Sequence, residues 1–415
     1  MARKPRILFM AESVTLAHVV RPAQLALALK DSEYEVHFAT TLEYKNRLCP
    51  EKANFHAIQC MSTQEFQNRL DRGFSVFNQS LLEKQIEEDL QLLKLLKPEI
   101  VVGDFRHSLS ISARLHQTPY MGIANAYWSR FDEHIMPLPE IQPFRLMGQA
   151  LSKWVLNFSR SLILPYIFQH QAKPLNELRQ KHGLSTFSNI KDCYLDADLI
   201  GFADAFEVVS PNPNLKMPYI SLGPLVGSFQ VPIPSWWNQI RSDQPLVYLN
   251  LGSTGNVKLI QPLIAELTKE PIQIILGYMM QNESAVTEYS SGARVFCGQI
   301  LPGDLICQRA DVVISNGGSG GGYQALMAGK PLIGISKNMD QRMNMLYMSQ
   351  NSFVREIFNW NCSVAKVAEA VRFFLKNDIE RKKANDFKQT LSKYDCKSSF
   401  ELARKQLLTQ KMKVL

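Results

Sequence analysis

The sequence predicts an α/β protein built as two doubly wound domains, each on a mostly parallel sheet, facing one another. Three observations predict it. The chain has 415 residues, about twice the length of one ordinary domain. Short apolar or β-branched runs alternate with longer amphipathic segments over residues 1–125, and do so again beyond residue 245, which implies βαβ units. Between the two series, residues 205–240 are rich in proline and lack periodicity, so they read as the connection between domains.

The first strand is RILFMA at 6–11. The start of the chain superficially imitates a signal peptide, but Glu12 interrupts the apolar stretch after Ile7 to Ala11, and a buried strand fits better. Pro22 followed by AQLALALK reads as a helix with the proline in its first turn. Strands YEVHFAT, EIVVGD and PYMGIAN follow, with QSLLEKQIEEDLQLLKLLK as a strongly periodic helix stopped before Pro98. Residues 143–182 are helical and rich in large apolar side chains, and Pro165 and Pro174 are expected to break them into pieces. The second series offers PLVYLNLGS, PIQIILG, ARVFC, DVVIS and PLIGIS as strands, and a helix from about 397 to 412 places Phe400, Ala403 and Leu407 on one face.

Composition narrows the function classes. With 46% hydrophobic and 20% charged residues and 21 each of Gly and Pro, this is ordinary globular composition. Seven widely spaced cysteines form no C-x-x-C pair, which argues for reduced thiols in the cytoplasm and against a metal or disulfide framework. No apolar run approaches the ~20 residues of a membrane-spanning helix. The net charge is +8, and residues 376–415 carry eleven Lys or Arg against five Asp or Glu. A solvated basic helix face is the favoured reading of that tail, with peripheral contact to anionic membrane as its rival and no role for nucleic acid.

Chemistry is sought in the loops at the carboxyl ends of parallel strands. The most informative is DVVISNGGSGGGYQALMAGKP, where a buried strand ends at Ser315 and a helix starts among five glycines between Gly317 and Gly322. Glycine lets backbone approach a ligand closely, and helix N-termini attract phosphate. One strand later comes DQRMN, Asp340 to Asn344. At these residues the chain resembles the UDP-glycosyltransferases of the macrolide type, which have the GT-B fold, and the resemblance extends over nearly the whole length. The family's His-Gly-Gly-like diphosphate turn corresponds to Asn316, Gly317 and Gly318, leading into Ser319 and Gly320. Its Gly-x-Pro strand corresponds to Gly329 to Pro331, and its Asp-Gln-x-x-Asn sugar element to Asp340, Gln341 and Asn344. Gly252, Ser253 and Thr254 match another diphosphate loop, and Gln299 and Ile300 in QILP stand where the family presents backbone to the base. Three residues depart from the pattern: Asn316 replaces the diphosphate His, Gly321 a Thr, and Gln324 the Glu that accepts the ribose hydroxyls.

In the first half, His18 lies between the first strand and the helix of Pro22, where the resemblance places the catalytic base, although H-V-V-R-P has one residue more than the family's His-x-x-Pro. Asp104, closing EIVVGD, matches the Asp that orients it; a helix N-cap is its alternative role. Glu12, Arg106, His107, Asn125 and Trp128 lie near other strand ends as residues that could line an acceptor pocket. The resemblance implies an acceptor-binding domain at 1–225, a nucleotide-sugar-binding domain at 240–396, and a helix at 397–415 docking back on the first. It implies an inverting transferase that moves a hexose-type sugar from a nucleotide diphosphate, a UDP-sugar, to a hydroxyl of a small-molecule or lipid-like, partly apolar acceptor. His18 acts as base and Asp104 as its partner. The nucleotide sugar is a cosubstrate, and neither a cofactor nor a metal is implied. The alternatives are a catalytically inactive nucleotide-sugar-binding protein on the same fold, suggested by the three departures, and a sugar-nucleotide epimerase.

Overall fold

The computed structural model describes residues 4–30, 32–130, 149–227, 231–252, 254–277, 285–298 and 301–414, without the side chains of 149–164, 285 and 410–414. The chain divides into two units: residues Met1–Leu225 with Asp395–Leu415, and Val226–Tyr394.

The first unit is built on a seven-stranded parallel sheet. Its strands are β1 (Arg6–Ala11), β2 (Glu35–Thr40), β3 (Asn54–Ala57), β4 (Ile100–Asp104), β5 (Tyr120–Ala124), β6 (Leu199–Phe202) and β7 (Tyr219–Ser221). They are ordered β3-β2-β1-β4-β5-β6-β7. Ile7, Leu8, Phe9, Met10 and Ala11 of β1 are all wholly buried, as a strand covered on both faces requires. One face packs Leu8, Met10 and Val101 against Leu93, Leu96 and Leu109 from flanking helices.

The second unit repeats the plan. Its strands are β8 (Leu246–Asn250), β9 (Gln273–Gly277), β10 (Ala285–Glu288), β11 (Arg294–Gly298), β12 (Val312–Ser315), β13 (Leu332–Ser336) and β14 (Val354–Phe358). The order is β10-β11-β9-β8-β12-β13-β14, with β10 antiparallel to β11 and the remaining pairs parallel. Its core joins Val247, Leu249, Ile274, Val312 and Ile333 to Val367, Val371 and Phe374 of the helix Val364–Lys376.

Four sequence expectations change. Pro22 does not lie in the first turn of its helix but inside it, because the helix already begins at Leu16 and runs to Ala28. Pro165 and Pro174 do not break the helical region, because both lie inside one helix, Gln149–Lys181. Its second half is held by burial of Ala172, Leu175 and Leu178 and by Arg179, which donates to the carbonyls of Ser110 and Ser185; this packing outweighs the lost backbone bonds. The proline-rich stretch is not all connection, since β7 lies within it and pairs with β6. The basic tail is not all solvated either. In the helix Cys396–Val414, Arg404 donates to Glu99 at 2.5 Å and Lys397 to Glu33 at 3.1 Å.

That helix buries Phe400 and Ala403 completely and Leu407 nearly so. The Phe400 ring lies 6.2 Å from Phe9 of β1 and 6.5 Å, edge-on, from Tyr34. Phe400→Ala is expected to destabilise the protein by about 3–5 kcal/mol, the range for emptying a buried phenylalanine site. A urea melt followed by circular dichroism checks this; a loss within experimental error would mean that the helix contributes nothing to the sheet it covers.

Candidate active site

In each unit the strand order reverses once near the middle, between β1 and β4 in the first and between β8 and β12 in the second. At such a point the loops leaving adjacent strands diverge and open a crevice at the carboxyl ends. His18 and Asp104 meet at the first of these places, and Thr254 and Asn316 at the second.

In the first unit Ala11 stands opposite Asp104 across the β1–β4 pair. The chain leaving β1 enters the helix Leu16–Ala28, whose first turn carries His18. His18 Nδ1 lies 2.7 Å from Asp104 Oδ1, and the two side chains are 19% and 0% exposed. Asp104 is not a helix N-cap: the helix Leu109–Leu115 has Ser108 there, without a side-chain bond. Phe105 follows β4 with φ of 57°, a region that side chains other than glycine and asparagine seldom enter. Its ring stacks on the His18 imidazole at 4.6 Å between centroids.

Asp104 has a second partner that the sequence reading passed over. Arg21 Nε and Nη2 donate to Asp104 Oδ2 and Oδ1 at 2.8 and 2.6 Å, a two-pronged contact between buried groups. The signal was available in H-V-V-R-P, because the additional residue before the proline puts Arg21 three positions after His18, on the same helix face. Arg21 Nη1 donates to Asn125 Oδ1 at 2.7 Å, and Asn125 Nδ2 reaches both oxygens of Asp204 at 3.1 and 3.2 Å. Asp204 was not singled out from the sequence; it follows β6 much as Asn125 follows β5.

The proposed acceptor-lining residues are placed mostly in the interior. Arg106 is fully buried, donating to Asp89 at 2.8 and 3.0 Å, Glu12 at 3.2 Å, Glu88 at 3.1 Å and the Gln59 carbonyl at 2.5 Å. Burial alone would weaken its protonation, but Asp89 and Glu12 overrule that and raise it. Glu12 also accepts from the Met61 N–H at 2.6 Å and Gln85 at 3.1 Å, and burial pushes its carboxyl up despite Arg106. With their groups turned to each other, Glu12 and Arg106 form an internal charge network and do not line a surface. Asn125 is likewise occupied by Arg21 and Asp204. Trp128 is 8% exposed and packs on Tyr194 with centroids 4.5 Å apart. His107 lies among Phe77, Phe105 and Tyr194, and burial pushes its imidazole down to about 3.

In the second unit Ser315 stands opposite Asn250, so the loops after β12 and β8 are neighbours. Asn316 braces both: its Nδ2 donates to Thr254 Oγ1 at 3.0 Å, while its Oδ1 accepts from the Gly318 N–H at 3.1 Å. The latter closes an Asx turn, which shapes the entry to the next helix. Gly317 has φ of 77°, and a β-carbon there would meet Met345 at 2.8 Å, so both conformation and space demand glycine. The helix Ser319–Ala328 begins after Gly318 with no side-chain cap, and the N–H groups of its first turn point out of its end. Gln341 Nε2 donates to Thr254 Oγ1 at 2.7 Å, and its Oε1 accepts from the Asn338 N–H at 3.2 Å as part of a capping box for the helix Met339–Met348. Asn344 donates to the Gly317 carbonyl at 2.9 Å. Asp340 lies in the first turn of the same helix and Gly252 in the β8 loop, with φ of 57°. The Gln324 amide lies against Gly303, at the start of the helix Gly303–Arg309. Ser253, Gln299 and Ile300 lie outside the described residues.

Comparison with known proteins follows the same line. No protein-family model matches the chain. The PGL/p-HBAD biosynthesis rhamnosyltransferase of Mycobacterium bovis (strain BCG / Pasteur 1173P2) is 39% identical over 345 residues, 83% of this chain and 75% of that protein. The PGL/p-HBAD biosynthesis glycosyltransferase of Mycobacterium tuberculosis (strain ATCC 25177 / H37Ra) is 39% identical over 345 residues, 83% of this chain and 78% of that protein. Among solved structures, the glycosyltransferase SsfS6 of Streptomyces sp. SF2575, complexed with thymidine diphosphate, matches with a TM-score of 0.65 at 16% identity. That match covers 96% of this chain and 99% of SsfS6 and shows the shared GT-B fold. With a His–Asp pair at one reversal of strand order and a glycine-rich helix entry at the other, and with this identity to relatives over most of its length, the chain belongs to the PGL/p-HBAD biosynthesis glycosyltransferases.

Proposed function

We propose that this glycosyltransferase moves a hexose-type sugar from a pyrimidine nucleoside diphosphate to a hydroxyl of a small, partly apolar acceptor, by a single displacement that inverts the anomeric centre. The observation that carries the reading is the 2.7 Å contact between His18 Nδ1 and buried Asp104. With Nδ1–H donated to the carboxylate, Nε2 keeps its lone pair and takes the acceptor's proton as the hydroxyl attacks. Asp104 then stabilises the imidazolium.

The donor half of the reading rests on the loops after β8 and β12. The leaving diphosphate gains negative charge as the glycosidic bond breaks, and the uncapped N-terminus of Ser319–Ala328 offers preorganised N–H groups and a favourable dipole. Asp340, at a helix start beside this turn, suits a sugar hydroxyl. The rhamnosyltransferase relative supports a deoxyhexose as the sugar. The nucleotide is uridine or thymidine diphosphate: the resemblance favours the first, and the thymidine diphosphate complex of SsfS6 supports the second.

Thermal shifts with UDP and TDP identify the nucleotide, since a ligand of the folded state raises the melting temperature. With the corresponding rhamnose and glucose donors, His18→Ala is expected to slow nucleotide release by about 10²–10⁴-fold while the nucleotide-induced shift is retained. Release at the parent rate would remove His18 as the base.

Activity is also expected to survive EDTA, because backbone N–H groups are assigned the diphosphate. Loss with EDTA and recovery with Mg²⁺ would assign it to a metal. Asn316→Ala removes the bonds to Thr254 and Gly318, and should weaken the nucleoside diphosphate by about tenfold, on the order of one hydrogen bond of this kind. The free nucleoside should bind as before; equal weakening of both would locate Asn316 away from the phosphates.

A further inference from the structure

We propose that Arg21 is a positioning residue for the transfer reaction: its guanidinium locks the Asp104 carboxylate and so holds His18 in the tautomer that leaves Nε2 unprotonated. The inference rests on the reading of His18 as base.

Two short contacts compete for His18 Nδ1, and the charged carboxylate decides between them. An ionised carboxylate only accepts hydrogen bonds, and a guanidinium only donates them. Asp104 Oδ1 is approached by His18 Nδ1 at 2.7 Å and Arg21 Nη2 at 2.6 Å, and those two nitrogens are themselves 2.7 Å apart. Were Nδ1 bare, it would accept from Arg21 but face Asp104 as one lone pair against another. With a proton on Nδ1, both nitrogens donate to Oδ1, the stronger acceptor because it is charged, and the 2.7 Å contact between the two nitrogens holds no hydrogen bond of its own. Every short contact to Asp104 then carries a hydrogen.

Arg21 is itself fixed. Nε holds Asp104 Oδ2, so the carboxylate cannot rotate, and Nη1 holds Asn125, which is held by Asp204. The Ala126 N–H also donates to Asp204, at 2.7 Å. The chain of contacts crosses the ends of β4, β5 and β6, and its fork geometry is one that lysine cannot reproduce. The guanidinium also balances the charge of the buried carboxylate. Among the described residues, the titratable groups facing His18 are Asp104 at the end of β4, Arg21 on its own helix, and His107, which burial keeps neutral.

The test reads the imidazole directly. The full chain is labelled with ¹⁵N-histidine, long-range ¹H–¹⁵N spectra are recorded between about pH 5 and 9, where histidine titrates, and His18 is assigned with His18→Gln. The parent should show the Nδ1–H tautomer. In Arg21→Met the two tautomers should mix, because the carboxylate that selects the Nδ1–H form is no longer held in place. In Arg21→Lys, which keeps the charge without the fork, the mixture should persist.

A folded Arg21→Met protein with the parent's pure Nδ1–H tautomer would overturn the proposal. If that variant does not fold, parent-like tautomer purity in Arg21→Lys overturns it. Turnover by His18→Ala, measured alongside, separates the two readings. Retained turnover sinks the base assignment. Lost turnover with unchanged spectra in the Arg21 variants sinks only the role of Arg21.

Discussion

The site depends on one topological constraint, the reversal of strand order in each sheet. Where two adjacent parallel strands send their following helices to opposite faces, no helix covers the gap between their carboxyl ends. His18 and Asp104 are 86 positions apart in sequence and meet because β1 and β4 are neighbours there. Thr254 and Asn316, 62 positions apart, meet for the same reason between β8 and β12. A shift of pairing by one residue would turn either set of side chains to the wrong face, so the continuous apolar strands that fix the register also fix the chemistry.

Beneath the first crevice, the sheet tolerates an unusual density of buried charge. Glu12, Asp89 and Arg106 form one cluster, and Asp104, Arg21, Asn125 and Asp204 another. Such clusters rarely add net stability, because desolvation offsets the attraction between the partners. Their effect is on geometry, since each member is fixed by hydrogen bonds to the others. Arg106 joins the loop after β4 to Glu12 after β1 and to Asp89 on the helix Gln79–Leu96. The two strand ends that carry the base and its partner are thus tied together from below as well as through His18.

Much of this was legible in the sequence where a residue's meaning is local. Buried strands announce themselves as apolar runs, and the run of glycines from 317 to 322 marks a helix entry whatever surrounds it. The pairing of His18 with Asp104 was legible because both close elements that a parallel sheet must align. What escaped were choices made by tertiary packing. Arg106 and Glu12 look like surface polar residues at strand ends, and only the folded chain reveals that they satisfy one another. Gln341 and Asn316 were read as ligand contacts, yet both hydrogen-bond Thr254 and shape the turn itself. Pro165 and Pro174 mark helix breaks by local rule, and distant contacts overrule that rule.

The path of the chain carries a consequence for its synthesis. The second unit is, in topological terms, an insertion: the polypeptide leaves the first unit after Leu225 and returns to it at Asp395. Phe9 emerges from the ribosome long before its partner Phe400, with the whole second unit made between them. The later-made unit therefore has all its strands available before the earlier-made one can cover β1. During that interval the nascent sheet exposes the apolar surface that the last helix will bury, a state in which multidomain chains are prone to aggregate or to enlist chaperones.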